Sequence, residues 1–264
     1  MEDSGGSETS SQNAIEINAL TRKFGDIDAV KGLELKVKKG IIMGFIGPNG
    51  AGKTTTIRML TCLLRPTSGT AKVAGFDICK QPLEVKARIG YVPDELNLYE
   101  RLTGLEHLYF VGRMFAMDED ILNYRIAILL DMFELTQKKD DMIVDYSHGM
   151  QKKIALACAL IHDPEVLFLD EPFSGLDPIS SKLCRDLLRA LSKEGMTIFL
   201  SSHDLELVEK LCDEFAIIDK GRIVTSGTTE IIKNNIGNKN GWLEEIFMEH
   251  VKVSTPLDLL KWKK

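Results

Sequence analysis

The chain has 264 residues, 44% of them hydrophobic, which is ample for one large domain or a domain carrying a subdomain. A formal net charge of −6 argues against general nucleic-acid binding, which usually shows a basic excess. The longest apolar stretches, such as IIMGFI at 41–46, are far too short to span a bilayer.

The N-terminal MEDSGGSETSSQN is acidic and polar, so residues 1–13 read as a short disordered tail and not as a secretory signal. The five cysteines (Cys62, Cys79, Cys158, Cys184 and Cys212) are irregularly spaced with no CxxC pair, the pattern of reduced buried thiols in an intracellular protein. From Ile15 to Lys39, IEINALTRKF and DAVKGLELKVKK alternate as strands, with a turn at Gly25-Asp26. IIMGFI then reads as a buried strand, followed by a glycine-rich loop. KTTTIRMLTCLLRP places Ile57, Leu60, Leu63 and Leu64 at helical spacing, so a helix is expected to run on and stop before Pro66.

Residues 102–162 show no strand signal. LTGLEHLYFVGRMFA, DILNYRIAILLDMFEL and KKIALACALIHDP all carry helical spacing. Strands return at VLFLD (166–170), TIFLSS (197–202) and FAIIDKGRIVTSG (215–227), the last a hairpin turning at Lys220-Gly221. The helical SSKLCRDLLRALSKEG separates two of them. Strand–helix–strand alternation predicts a parallel sheet covered by helices, with an inserted helical subdomain over about 95–162. Beyond it, WLEEIFMEHV is helical in pattern, and the lysine-flanked Trp262 near the chain end reads as a packed or frayed terminus.

GPNGAGKT at 47–54 fits G-x-x-x-x-G-K-[ST] between a strand and a helix. Glycines let the backbone wrap phosphate, so successive N–H groups and a helix N-terminus face the anion. Lys53 would neutralise the β/γ-phosphates, and the Thr54 hydroxyl would hold Mg²⁺. The loop alone predicts nucleotide binding. VLFLDEP at 166–172 adds two carboxylates where an apolar strand ends, the position of ligands in open α/β sheets. There Asp170 can serve the metal shell, and Glu171 can take a proton from an attacking water.

Residues 147–151, SHGMQ, open another helix. Ser147 is a good N-cap, and a helix N-terminus bearing a hydroxyl is itself an anion site. The order of these pieces along the chain resembles the ATP-binding-cassette (ABC) ATPases: phosphate loop, helical insert, Ser-x-Gly opening a helix, LFLDE strand, SGLD, then a His after a strand. The resemblance covers roughly residues 14–230. It implies a P-loop NTPase of the α/β class, with a parallel core sheet, an N-terminal antiparallel β subdomain and an inserted α-helical subdomain. Residues 231–264 would form a helical C-terminal extension.

In that family two subunits pack head to tail, and the Ser-Gly helix of one closes on the γ-phosphate held by the other. The resemblance therefore implies that Gly47, Asn49, Gly50, Ala51, Gly52, Lys53, Thr54 and Thr55 contact nucleotide, while Phe24 stacks on adenine. Asp170 would be the Mg²⁺-linked aspartate, Glu171 the catalytic glutamate and His203 the switch histidine. Asp177 of SGLD would sense the opposite site, and Ser147 and Gly149 would act on the partner's nucleotide.

Two motifs depart from the family pattern, the signature through His148 in place of Gly and Met150 in place of Gln, and the coupling loop through Asp94. The usual LSGGQ is Tyr146-Ser147-His148-Gly149-Met150, with the expected phosphate contacts Ser147 and Gly149 kept. Asp94 of YVPDE stands where Gln is frequent, and it can still approach Mg²⁺. The variant signature and the TSGTTEII…LEEIF ending resemble the branch that exports drugs, antibiotics, lipids or ions. The resemblance implies ATP and Mg²⁺ as cofactors, a permease on a separate membrane-embedded chain, a second ATP-binding subunit (a homodimer by default) and no nucleic acid. The chain is then expected at the inner face of the cell membrane, cytoplasmic and peripheral through its permease, with coupling around Asp94 to Arg101.

A soluble ABC ATPase acting on ribosomes or chromosomes is the alternative, although a second cassette and a splitting coiled coil are both missing from this sequence. A GTPase needs an Asn/Thr-Lys-x-Asp motif after a strand. The nearest match, QKKD at 137–140, follows a helix and begins with Gln. A small-molecule kinase leaves SGLD and His203 without a purpose.

Overall fold

The computed structural model describes residues 12–228 and 242–251. The expected tail over 1–13 therefore lies outside the described residues except for its last two positions, and so does most of the expected C-terminal extension.

Two antiparallel strands, β1 (Asn13–Phe24) and β2 (Ile27–Lys38), meet at the expected Gly25-Asp26 turn, where Gly25 has φ +55°. With β4 (Ser68–Val73) and β5 (Phe76–Asp77) they make a four-stranded antiparallel sheet in the order β2-β1-β4-β5. The second sheet has six strands. They are β3 (Ile42–Ile46), β6 (Ile89–Val92), β7 (Val166–Asp170), β8 (Thr197–Ser202), β9 (Glu214–Asp219) and β10 (Arg222–Thr228), in the order β10-β9-β3-β8-β7-β6. All neighbours in it are parallel except the β9–β10 hairpin.

Parallel strands covered on both faces read as continuous apolar runs, and pleat alternation sends successive side chains to opposite sides. Met43, Phe45, Val166, Phe168 and Phe199 enter one core with Ile57 and the antiparallel sheet. There Phe45 and Phe168 lie 5.3 and 5.7 Å from Phe199, centroid to centroid. Ile42, Ile46, Leu167, Leu169, Ile198 and Leu200 enter the other core, with the helices. Gly44 belongs to this second face; a Cβ there would come within 2.7 Å of Val208, so only glycine lets that helix approach.

The helices are α1 (Lys53–Leu60), α2 (Pro82–Lys86), α3 (Gly104–Met114), α4 (Glu119–Met132), α5 (His148–Leu160), α6 (Pro178–Lys193), α7 (Leu205–Leu211) and α8 (Trp242–His250). Start signals are local. Thr103 and Glu106 form a capping box on α3, and Asp118, Ser147, Asp177 and Asp204 each accept N–H bonds at the start of α4, α5, α6 and α7.

One sequence expectation needs correction. The helix after the phosphate loop stops at Leu60 and does not reach the residues before Pro66. Thr61 bonds its hydroxyl back to Ile57 O at 2.9 Å, and Cys62 turns into the left-handed region at φ +58°. Leu63 and Leu64 then both donate to Arg58 O, closing the helix end. Strands β4, β5 and β6 and helices α2 and α7 were not anticipated.

Candidate nucleotide-binding and hydrolysis site

β3 delivers the chain into residues 47–52, and α1 leaves from Lys53. Gly52, the residue before α1, has φ +109°, and no side chain caps the helix, so no side chain occupies its first N–H groups. Two glycines are required by close approach. A Cβ at Gly47 would sit 2.3 Å from Ile218 O, and one at Gly52 would sit 2.6 Å from Ala29 O. Gly52→Ala is therefore expected to cost about 2 kcal/mol of stability and to weaken nucleotide binding, measured by urea unfolding and ATP titration.

Lys53 is only 7% exposed; its Nζ donates to Gly47 O at 2.7 Å and lies 3.6 Å from Glu171 Oε1. The first hydroxyl of α1 is that of Thr54, half-buried beside it. Ala51 donates to Pro48 O, closing the loop around Asn49 and Gly50.

The carboxylates arrive from β7. Asp170 is 1% exposed; its Oδ1 accepts from Ser201 Oγ at 2.5 Å, and its Oδ2 is buried with no partner. Glu171 follows at φ +49°, a left-handed conformation costly for glutamate. Its N–H donates to Ser201 Oγ at 3.2 Å, and its Oε2 lies 2.9 Å from His203 Nδ1. β7 and β8 thus bring Asp170, Glu171, Ser201 and His203 together, and Lys53 joins them from α1. Asp170 and Ser201 are register partners in these strands, which brings the two side chains together.

The other anticipated residues stand apart from this cluster. Phe24, at the end of β1, is 46% exposed, and the Arg22 guanidinium lies 4.5 Å from its ring centroid. Asp94 is exposed in the segment after β6. Ser147 Oγ accepts from Met150 N at 3.3 Å, as an N-cap does. Among the described residues no hydrogen bond or ion pair joins 146–150 to 47–55. The Ser147 segment packs instead against 174–177: the His148 ring lies over Gly175, and Gly149 faces Leu176. His148 in place of glycine is thus accommodated on a glycine backbone. Asp177 caps α6, accepting from Ile179 and Ser180, and these hydrogen bonds, led by those from Ser180, hold its carboxyl below the usual range.

Two side chains of the site were missed in the sequence. Ser201 had one signal, a pair of serines ending an apolar strand. Lys152 had none. It is 6% exposed on α5, and its Nζ donates to Glu171 O at 3.1 Å and Ser174 O at 2.5 Å. Burial pushes its ammonium pKa down, while Asp94 and Glu171 oppose that shift.

A glycine-rich loop between a parallel strand and a helix, with a buried aspartate and a half-buried glutamate at the end of a nearby parallel strand, defines a P-loop nucleotide-binding protein. The "ABC transporter" family model matches residues 30–174, and the chain belongs to that family as an ATP-binding cassette.

The chain is 40% identical over 230 residues to the daunorubicin/doxorubicin resistance ATP-binding protein DrrA of Streptomyces peucetius, covering 87% of this chain and 70% of the relative. With the ABC transporter ATP-binding protein NatA of Bacillus subtilis (strain 168) it shares 38% identity over 239 residues, 89% of this chain and 96% of the relative. A solved ATP-binding subunit of an ABC transporter superposes with TM-score 0.83 at 30% identity, covering 90% of this chain and all of that one. A dimeric cassette bound to ADP and Pi gives TM-score 0.76 at 25% identity, covering 81% of this chain and 98% of that one.

Proposed function

We propose that this chain is the ATP-hydrolysing subunit of an exporter, acting on a separate membrane-embedded permease as one half of a head-to-tail dimer of cassettes. The observation that carries hydrolysis is Glu171, a carboxylate held between Lys53 and His203 at the mouth of the phosphate loop. Export is supported by the relatives, which include a drug-resistance protein and a "Nod factor export ATP-binding protein I" of Ralstonia nicotianae, 38% identical over 224 residues. A soluble ribosome- or chromosome-acting ATPase draws no support from them.

Glycines 47, 50 and 52 and the N–H groups of Asn49, Lys53, Thr54 and Thr55 cradle the phosphates of ATP, and Ala51, whose own N–H closes the loop on Pro48 O, lines the cradle. Lys53 now spends its charge on Gly47 O and Glu171, so γ-phosphate binding and release of the glutamate are one exchange. Glu171 then takes the proton of a water whose oxygen bonds to the γ-phosphorus as the bond to the ADP oxygen breaks. His203 moves from Glu171 toward the γ-phosphate, and Ser147 with the N–H of Gly149 closes on that phosphate from the partner chain. Asp177 lies at the facing surface and reports on the opposite site.

Among the described residues no group of three His, Cys, Asp or Glu side chains could hold a metal alone. That suits Mg²⁺, which takes one or two carboxylates and relies on phosphates and water. The unpartnered Oδ2 of Asp170 and the Thr54 hydroxyl fit it, and Asp94 would join from the groove side. When bound, the ion would neutralise charge developing on the phosphates.

The permease would dock in the groove lined by Tyr91, Pro93, Leu96, Leu98 and Phe115, beside Asp94. No helix among the described residues is long and apolar enough to cross a membrane. A cytoplasmic place at the inner membrane face would thus come through the permease. The test is a pull-down of tagged chain from gently solubilised native membranes. A stoichiometric polytopic membrane protein is expected; recovery bound to ribosomes or to nothing would overturn the transporter assignment.

Phe24 supplies a second check. Stacking of a base on an aromatic ring is worth enough that Phe24→Ala is expected to weaken ATP about tenfold by titration calorimetry. Unchanged affinity would remove Phe24 from the base site.

A further inference from the structure

Five backbone and side-chain anchors hold Glu171, and one of them comes from the helix that begins at Ser147. The Glu171 N–H goes to Ser201, and its carboxylate faces Lys53 and His203. Its carbonyl accepts from Lys152 Nζ and from Ser174 N–H, and Lys152 also takes the carbonyl of Ser174. Lys152 therefore clamps both ends of the 171–174 turn, the turn that keeps Glu171 in a left-handed conformation. Such a conformation persists only where its surroundings over-determine it.

Packing alone does not account for this lysine. It borders a cavity of about 230 Å³ walled by Leu156, Leu169, Leu176, Leu183 and Leu187, where an apolar side chain would be cheaper to bury. The carbonyls and the nearby charges of Asp94 and Glu171 are what a buried ammonium gains here, so the lysine trades stability for a specified loop position. α5 thereby ties together three points: Ser147 at its N-cap, the Glu171 turn through Lys152, and Gly175 under His148.

We propose that Lys152 is a positioning residue for hydrolysis, locking the 171–174 turn to α5 so that Ser147, which serves the partner's nucleotide, and Glu171, which serves this chain's own, move as one body. This rests on the assignment of Glu171 as the base. Losing the clamp leaves the phosphate loop intact but lets the carboxylate drift, and a small misplacement near reacting atoms is costly in rate. The result should be a kcat effect and not an ATP-affinity effect.

The experiment measures steady-state hydrolysis, ATP affinity and thermal melting for the full chain and its Lys152→Met, Lys152→Arg and Glu171→Gln variants. Lys152→Met is expected to lose about thirtyfold in kcat with KM and ATP affinity within about twofold. Lys152→Arg, which keeps donors for both carbonyls and has the cavity for its extra bulk, should return to within about threefold of the parent. If Lys152→Met does not fold, Lys152→Gln takes its place, with a loss of about tenfold in kcat at unchanged KM. Unchanged kcat in a folded Met or Gln variant, or a loss confined to KM, overturns the proposal while an inactive Glu171→Gln leaves the base assignment standing. A fully active Glu171→Gln overturns both.

Discussion

Glu171→Gln is expected to cut ATP turnover by at least about a hundredfold while leaving ATP binding intact, because a positioned general base contributes on the order of 10²–10⁴ in rate. Gln is isosteric and can keep a hydrogen bond from His203, but it cannot accept the proton of the attacking water. It also removes the negative charge facing Lys53 at 3.6 Å, so the lysine is freer to serve phosphate and ATP affinity should hold or rise. With hydrolysis blocked, the dimer closed by ATP should accumulate, seen as a doubling of mass in size-exclusion chromatography with light scattering. A fully active variant would remove Glu171 as the base.

Ser147→Arg is expected to lower hydrolysis by about a hundredfold to a thousandfold, the range for losing a group that stabilises transferring charge. ATP affinity of the single chain should stay within about threefold of the parent, since no contact of Ser147 reaches the phosphate loop of its own chain. The substitution puts a long cation where a short hydroxyl caps α5, at the surface proposed to meet the partner's nucleotide. Loss of the cap costs about 1 kcal/mol by itself, so a melting curve accompanies the kinetics to show the chain is folded. Unchanged hydrolysis would sink the two-chain site.

What was legible in the sequence had short-range causes. The glycine loop, its Lys53 and the buried run IMGFI all lie within one strand–loop–helix unit, and the β1–β2 and β9–β10 hairpins carry their turns between alternating runs. β4 was opaque because Ser68, Gly69, Thr70 and Lys72 face solvent and only Ala71 and Val73 are buried, leaving too few apolar positions to register a period. β6 is four residues long and becomes a strand by pairing with β7, which lies far along the chain. The end of α1 was overrun because Leu63 and Leu64 keep helical spacing while Cys62 has already turned left-handed.

The cluster follows the same division. Asp170 and Glu171 announce themselves at the end of an apolar strand. Ser201 reaches Asp170 only through the parallel register of β7 and β8, and Lys152 reaches Glu171 and Ser174 only because α5 packs behind the turn. No spacing rule encodes such contacts. Nor does a single chain bring Ser147 to the phosphate loop, and the contacts of the neighbouring His148 and Gly149 with Gly175 and Leu176 are what one cassette displays.

The most direct test of the shared site mixes two inactive chains, Lys53→Ala and Ser147→Arg. Each alone should hydrolyse ATP at a small residue of the parent rate. In a one-to-one mixture half of the dimers would be mixed, and each mixed dimer rebuilds one intact site from the Ser147→Arg phosphate loop and the Lys53→Ala signature helix, so activity should recover to about one quarter of the parent. Mixed dimers that form and stay inactive, or a Ser147→Arg chain that is active alone, would contradict a site divided between two chains.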